Sequence, residues 1–328
     1  MRSAYYIMRL SNKRLGVITM KLYKVGILGA TGAVGREMMK ILAERQFPIS
    51  ELRLFASSRS AGKVVEWNGR PVMIQEPSEE NFRGLDIVLG AAESDIARLY
   101  APEVVRAGAV FVDNSSAYRM DDDVPLVIPE VNPEDVKLHH GIIASANCST
   151  IITVTAVNAL NAISPIRSMV ASTYQAVSGA GAGGPVELAE EVEALRTGKP
   201  VQPKVFSHQI AYNLIPQIGG EQYEGYTSEE MKMQNEGRKI MHLPELRVTC
   251  TCVRVPVMRS HSISASIVTE RELTVDEVRE AIAGAPGCVL EDDMVRHIYP
   301  MPLFTGGLDT VAVGRLRKDI ALKNGIAL

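Results

Sequence analysis

The sequence predicts an α/β protein: a doubly wound domain on a parallel sheet, followed by a mixed α+β domain. From Lys21 to Asn147, apolar runs of strand length alternate with stretches of helical period, the pattern of strands linked through crossover helices. The first run breaks at a cluster of glycines before its helix, as a ligand-binding strand–turn–helix unit would. Beyond Cys148 the texture changes to longer runs of alternating polarity, expected of strands with one buried face. At 328 residues, 46% of them hydrophobic, the chain has length for two ordinary domains and a core for each.

Taken in order, "KLYKVGILGATGAVGREMMKILAERQFP" has a strand ending at Leu28, a glycine turn, and Val34, Met38, Ile41 and Leu42 at helical spacing until Pro48 closes the segment. Leu52 to Ala56 is a second strand. "VVEWNGRPVMI" reads as a hairpin about Asn68-Gly69, residues that tolerate the positive φ of a two-residue turn. Ile87 to Gly90 and Val110 to Asp113 are buried strands, separated by a helix from about Asp95 to Ala107. A helix from Cys148 to about Leu160 leads to the strand "RSMVASTYQA", the glycine-rich loop "VSGAGAGG" and a helix from Pro185 to Arg196. "RVTCTCVRVPV" and "HSISASIVTE" complete the second set of strands. The expected division is therefore 21–147 and 148–328, with 1–20 a poorly ordered extension and Met20 a candidate start.

Composition narrows the function. Net charge is −3, and no basic stripe carries interleaved aromatics, so nucleic acid is not an expected partner. No apolar run reaches the roughly 20 residues that span a bilayer, and the first twenty residues lack the apolar region of a signal peptide. Cys148, Cys250, Cys252 and Cys288 are too scattered for a disulfide framework, which favours a reducing cytoplasm. Cys250 and Cys252 have no second ligand pair at zinc spacing, so they read as small core residues and no metal site is expected.

Gly29, Gly32 and Gly35 stand where strand gives way to helix, so backbone amides can meet a pyrophosphate without Cβ interference. The same spacing, G-x-x-G-x-x-G, would also serve a tight packing turn. The candidate contacts are Gly29, Thr31, Gly32, Ala33 and Val34. An NAD site usually places a carboxylate after the second strand, but here the residues are Ala56-Ser57-Ser58-Arg59-Ser60. Ser57, Arg59 and Ser60 suit the 2′-phosphate of NADP, which a carboxylate would repel.

Cys148, in "IASANCSTI", follows a strand and opens a helix, where free amides and the helix dipole favour thiolate and can hold an oxyanion. A lone cysteine is equally a packed core residue, and the spacing alone leaves both readings open.

"GATGAVG", "ASSRSAGK", "FVDNSSAYR", "NCSTI", "STYQAVSGAG", "EEMKM", "CVRVPV" followed by "SHS", and "GRLRKD" occur in this order from about Lys21 onward. Together they make the chain resemble the aspartate-semialdehyde dehydrogenases, NADP-dependent enzymes of lysine, threonine and methionine biosynthesis. The resemblance implies a Rossmann-type domain, a catalytic and dimerisation domain, and a cytoplasmic homodimer or tetramer acting on small molecules. It implies that Cys148 attacks the aldehyde, that NADP⁺ takes the hydride, and that phosphate cleaves the thioester to aspartyl phosphate, with biosynthesis running in reverse. His261 would be the general acid/base. Gln175 would orient the thiol-bound substrate, and Ser178 and Gly179 would lie against the nicotinamide half of the cofactor. Arg254 would take the substrate α-carboxylate, Glu229 its ammonium, and Arg119 and Lys232 the phosphate.

Spacing bears on two of these placements. Glu229 and Lys232 are three apart on one helical face, which also suits an exposed ion pair. Arg254 and His261 are seven apart, so a straight strand would point them to opposite faces; a break between Pro256 and Ser260 is required. The chain departs from the family at Ala146, where a proline is usual before the asparagine, and at "GAAESD", which leaves Ser94 as a weaker cofactor contact. Related chains also run on past the equivalent of Leu328 with a strand and a helix that returns to the first domain, and that return is expected to be missing here. The alternatives are an N-acetyl-glutamyl-phosphate reductase, whose glycine-cysteine-tyrosine-proline motif "NCST" does not match, and a non-catalytic NADP-binding relative.

Overall fold

The computed structural model describes residues 21–328; the expected extension over 1–20 and the candidate start at Met20 lie outside the described residues. The first layer is an eight-stranded sheet of β1 (Tyr23–Leu28), β2 (Ile49–Phe55), β3 (Val64–Trp67), β4 (Arg70–Gln75), β5 (Ile87–Gly90), β6 (Val110–Asp113), β7 (Leu126–Val127) and β8 (Ile142–Ser145). Their spatial order is β3-β4-β2-β1-β5-β6-β8-β7. All neighbours run parallel except the β3–β4 hairpin, whose Asn68 and Gly69 both take positive φ as the turn requires. β1 is central because the run from Val25 to Leu28 is apolar or small on both faces and can be covered on both. The chain steps outward from β1 to β2 and β4, then returns to the other side with β5. The switch point therefore lies where the glycine turn leaves β1.

Helices α1 (Ala33–Glu44), α2 (Glu79–Phe82) and α3 (Ser94–Arg106) make the crossovers. After β8 comes α4 (Cys148–Asn161), buried on every side because the helices and strands of the second domain surround it. β9 (Ile166–Gln175), α5 (Gly183–Arg196), a small hairpin of β10 (Glu221–Tyr223) and β11 (Tyr226–Thr227), and α6 (Ser228–Ile240) follow. Then come β12 (Arg247–Arg254), β13 (Ser262–Thr269), α7 (Val275–Ala283), β14 (Cys288–Leu290), α8 (Pro302–Thr305), β15 (Val311–Val313), β16 (Arg317–Lys318) and β17 (Gly325–Ala327). The second main sheet has the order β12-β9-β13-β17-β16.

Small differences from the sequence reading have local causes. The second strand begins at Ile49, three residues early, because parallel pairing with β1 recruits polar positions that carry no periodic signal. Within the glycine-rich loop, Val177–Ala180 forms a 3₁₀ turn, and α5 starts at Gly183. Cys250 and Cys252 are buried on one face of β12, with sulfurs 3.8 Å apart and both free.

Candidate active site

One edge of the second sheet gathers three of the predicted residues. β9 and β12 are parallel, with Gln175 opposite Arg254 at their ends, whereas β13 runs antiparallel and begins with Ser262 opposite Tyr174. Two strands thus finish, and a third starts, at the same place. The break between Arg254 and His261 is a tight turn: the Val257 N–H donates to Val255 C=O at 2.8 Å, the Val177 N–H donates to Val257 C=O at 2.9 Å, and Ser260 takes φ 73°. It cancels the odd spacing and brings both side chains to Ala176. The Ala176 N–H donates to His261 Nδ1 at 3.0 Å, and its C=O accepts from Arg254 Nη1 at 2.7 Å. Gly179 closes over them; a Cβ there would stand 2.8 Å from Arg254 Nη1 and 3.3 Å from His261 Nε2.

The Ala176 contact sets which ring nitrogen of His261 carries the proton. A ring nitrogen that accepts a hydrogen bond carries no proton, so in the neutral ring the proton sits on Nε2. Burial, then the neighbouring Arg254 charge, lowers the His261 pKa to about 4, so the ring is neutral at ordinary pH. The resting imidazole therefore offers Nε2–H rather than the lone pair that a base for the thiol needs.

Cys148 opens α4 and its side chain is exposed. Asn147 is the N-cap, its side-chain oxygen accepting from Ser149 N–H at 3.0 Å and Thr150 N–H at 3.4 Å. Two of the first-turn amides expected to be free, those of Ser149 and Thr150, are therefore already occupied. The thiol is not depressed either: burial on its inner side, then the Glu229 charge, pushes it above the ordinary cysteine range, against hydrogen bonds from Ser149 and the charge of Arg119.

Glu229 is the hub beside the thiol, 8% exposed at the start of α6. Its Oε1 accepts from Asn147 Nδ2 at 3.0 Å and Gln175 Nε2 at 3.1 Å, and its Oε2 pairs with Lys232 Nζ at 2.9 Å. Burial acts to raise its pKa, but the Lys232 charge and these hydrogen bonds prevail and hold the carboxyl below its usual value. Gln175 is fixed from its other end by Thr173 Oγ1, which donates to its Oε1 at 2.9 Å. The Glu229–Lys232 pair is thus no exposed surface bridge; α6 lays its first turn against the β8–α4 junction and takes the carboxylate inside.

Arg119 is present too, but largely committed. Nε donates to Ser145 C=O at 2.9 Å, Nη2 to Asn114 C=O at 2.9 Å, and Nη1 to Glu236 at 3.1 Å. Asn147, Glu236 and Thr173 were not singled out in the sequence. Asn147 carried a readable signal, an Asn directly before a helix; Glu236 looks like any mid-helix charge.

The glycine turn after β1 forms a cradle that fits a dinucleotide. Gly29 takes φ 86°, and a Cβ at Gly35 would stand 2.4 Å from Gly29 C=O, so the turn closes only with glycine. Gly32 caps α1 without a side-chain bond, leaving the first turn to a ligand, and Thr31 to Val34 are exposed. Ser57 to Ser60 form a turn at the end of β2, with Ser60 N–H donating to Ser57 C=O at 2.8 Å and Arg59 exposed. Ser94, at the start of α3, is 3.0 Å from the Ser116 hydroxyl. Among the described residues no group of His, Cys, Asp and Glu is placed to hold a metal ion, and no helix is long and apolar enough to cross a membrane.

Comparison with known proteins agrees with this layout. Residues 24–139 match the family model "semialdehyde dehydrogenase, NAD binding domain", and residues 157–328 match "semialdehyde dehydrogenase, dimerisation domain". The chain is 47% identical over 311 residues to the aspartate-semialdehyde dehydrogenase of Aquifex aeolicus, covering 93% of this chain and 91% of that protein. It is 44% identical over 312 residues to the Bacillus subtilis enzyme of the same name, covering 93% and 90%. Among solved structures, Vibrio cholerae aspartate semialdehyde dehydrogenase II complexed with ASA superposes with a TM-score of 0.90 at 40% identity, covering 94% of this chain and 92% of that one. The Candida albicans enzyme with NADP gives 0.71 at 26% identity, with the same coverage.

Proposed function

The chain belongs to the aspartate-semialdehyde dehydrogenases, and on that premise we propose how its own residues carry out the reaction. The activity is the reversible, NADP-dependent reductive dephosphorylation of L-aspartyl-4-phosphate to L-aspartate 4-semialdehyde in amino-acid biosynthesis. The observation that carries the residue assignment is the convergence of Gln175, Arg254 and His261 on one sheet edge, together with the Glu229 carboxylate that joins Gln175 to Asn147, the cap before Cys148.

Arg254 holds the substrate α-carboxylate, and Glu229, kept ionised by Lys232, takes the ammonium. Cys148 sulfur bonds to the acyl carbon as the carbon–oxygen bond to phosphate breaks, and the thiol proton leaves with the phosphate. Arg119 and Lys232 face that phosphate. NADPH, when bound, supplies the hydride that reduces the thioester; Gly29 and Thr31 to Val34 hold its pyrophosphate, with Ser178 and Gly179 toward the nicotinamide. The carbon–sulfur bond then breaks, releasing the aldehyde and a thiolate that regains its proton from water. His261 donates Nε2–H to the carbonyl oxygen as its negative charge grows and dissolves. No proton need leave the ring.

Phosphate-dependent NADPH formation from aspartate semialdehyde, but not from N-acetyl-glutamate semialdehyde, tests this reading; a folded protein that binds NADP and shows no such turnover contradicts it. Ser57, Arg59 and Ser60 are the contacts for the 2′-phosphate. Arg59→Ala is expected to raise the KM for NADP by about 10- to 100-fold, the loss of one charged hydrogen-bonding partner, with little change for NAD. Equal changes for the two cofactors would show that Arg59 does not read the 2′-phosphate. The same reading divides the chain at Asn147/Cys148, makes it a cytoplasmic homodimer through the second domain or a tetramer of such dimers, and assigns it no nucleic-acid or membrane partner.

A further inference from the structure

One buried charge has no part in the chemistry above. Glu236 lies in the middle of α6 and is 2% exposed. Oε1 accepts from Arg119 Nη1 at 3.1 Å, and Oε2 accepts from the Asn147 peptide N–H at 2.7 Å. Arg119 in turn donates through Nε to Ser145 C=O at 2.9 Å. The ion pair therefore grips a backbone oxygen and a backbone N–H on the two sides of Ala146, immediately before Cys148. One turn further along α6, Lys239 Nζ donates to the carbonyls of Arg119, Asp121 and Val124 at 2.9, 2.7 and 2.9 Å, which ties down the loop carrying Arg119.

Stability alone does not account for this arrangement. Desolvating two charges is costly, and an apolar pair of similar volume would join helix and loop at least as well. What an apolar pair cannot do is fix two peptide groups and offset the guanidinium charge.

We propose that Glu236 is a positioning residue: through Arg119 and the Asn147 peptide it sets the aim of Cys148 and the net charge that Arg119 presents to phosphate and thiol. The proposal rests on the reading in which Cys148 is the nucleophile and Arg119 meets phosphate. The charged groups around the thiol are then Glu229 with Lys232 from the first turn of α6, Arg119 with Glu236, and Arg254 from the sheet. Asp113, buried at the end of β6, also lies within reach of the Arg119 charge, so removing the Glu236 charge leaves Arg119 without its ion-pair partner and more positive on balance. The thiolate is then favoured, while the site that must align sulfur and phosphate is loosened.

Two variants separate charge from shape. Glu236→Gln keeps the side-chain outline and an oxygen for the Asn147 N–H but loses the charge; Glu236→Asp keeps the charge on a shorter stem. In the glutamine variant, kcat/KM for phosphate is expected to fall about 10²-fold from misalignment, with KM for NADP within about two-fold of wild type. At the same time the pH midpoint of Cys148 alkylation by iodoacetamide moves down. The aspartate variant recovers much of the phosphate kcat/KM and the wild-type midpoint. A role in packing alone gives the opposite order, with glutamine near wild type and aspartate worse; that order, or an unchanged or raised midpoint in Glu236→Gln, overturns the proposal. Alkylation needs neither substrate nor cofactor, so absence of phosphate-dependent turnover in the wild type would fault the functional reading while the midpoint still decides this one. Should Glu236→Gln not fold, the neutral double variant Arg119→Gln/Glu236→Gln, which leaves no lone charge inside, is expected to show no lowering of the midpoint, and a lowered one counts against Arg119 as the intermediary.

Discussion

Cys148→Ala loses covalent chemistry entirely: turnover in either direction falls by roughly 10⁴-fold or more, and no acyl-enzyme forms. The effect is this large because the sulfur does two incompatible-looking jobs. It adds to an acyl carbon and later departs from it, and no neighbouring side chain can substitute: Ser149 and Thr150 are buried with their backbone N–H groups held by Asn147. The measurement is intact-protein mass spectrometry after mixing with aspartyl phosphate in the absence of NADPH. Wild type gains one aspartyl group, located on the peptide containing Cys148, and the alanine variant gains none while still binding NADP. Acylation elsewhere, or turnover by the variant, refutes the assignment. A second readout follows from the raised thiol pKa. Alkylation requires thiolate, so at neutral pH Cys148 should react more slowly than a free cysteine, and its rate should climb only as pH rises past the ordinary thiol midpoint near 8.5. Without substrate, the site therefore keeps its nucleophile mostly protonated, which agrees with a thiol proton that leaves together with the phosphate.

The regular parts of this fold were legible because their signals are local. Strand β1, the glycine turn and α1 are written within one stretch of chain, and the Asn68-Gly69 hairpin within four residues. The site was legible only in part, because its energetics are set by which distant surfaces meet. The three-residue spacing of Glu229 and Lys232 is the same for an exposed pair and for a buried hub; what decides is the docking of α6 on Asn147, 82 positions away. Glu236 was invisible for the same reason, its partner Arg119 lying 117 positions back. The thiolate expected at the start of α4 followed from helix geometry in isolation, and burial first, then a carboxylate brought in by another helix, moves the thiol the other way. The protonated nitrogen of His261 likewise depends on one backbone N–H, that of Ala176 just past the end of β9, which no side-chain pattern reports.

That nitrogen is open to test. His261→Ala is expected to slow turnover by about 10²- to 10³-fold, the usual loss of one preorganised donor to an oxyanion. The thiol should remain alkylatable with nearly the same pH profile. His261→Gln, which can present an amide N–H, should retain more activity than alanine if the ring acts as a donor, and no more than alanine if it must shuttle protons. The pH dependence has a definite sign. With a native pKa of about 4 and an ordinary value near 6.5, the unfolded chain binds a proton between those values and the native ring does not. His261 therefore makes the fold lose stability as pH drops from about 6.5 toward 4 and contributes no further change below that. Activity should show no inflection near 6.5 from this ring. In ¹⁵N-histidine spectra at pH 7, its Nε2 should carry the proton and Nδ1 should not. A proton on Nδ1 would leave the Nε2 lone pair free and restore the base role, at the cost of the Ala176 hydrogen bond, whereas an imidazolium signal would make the ring a general acid.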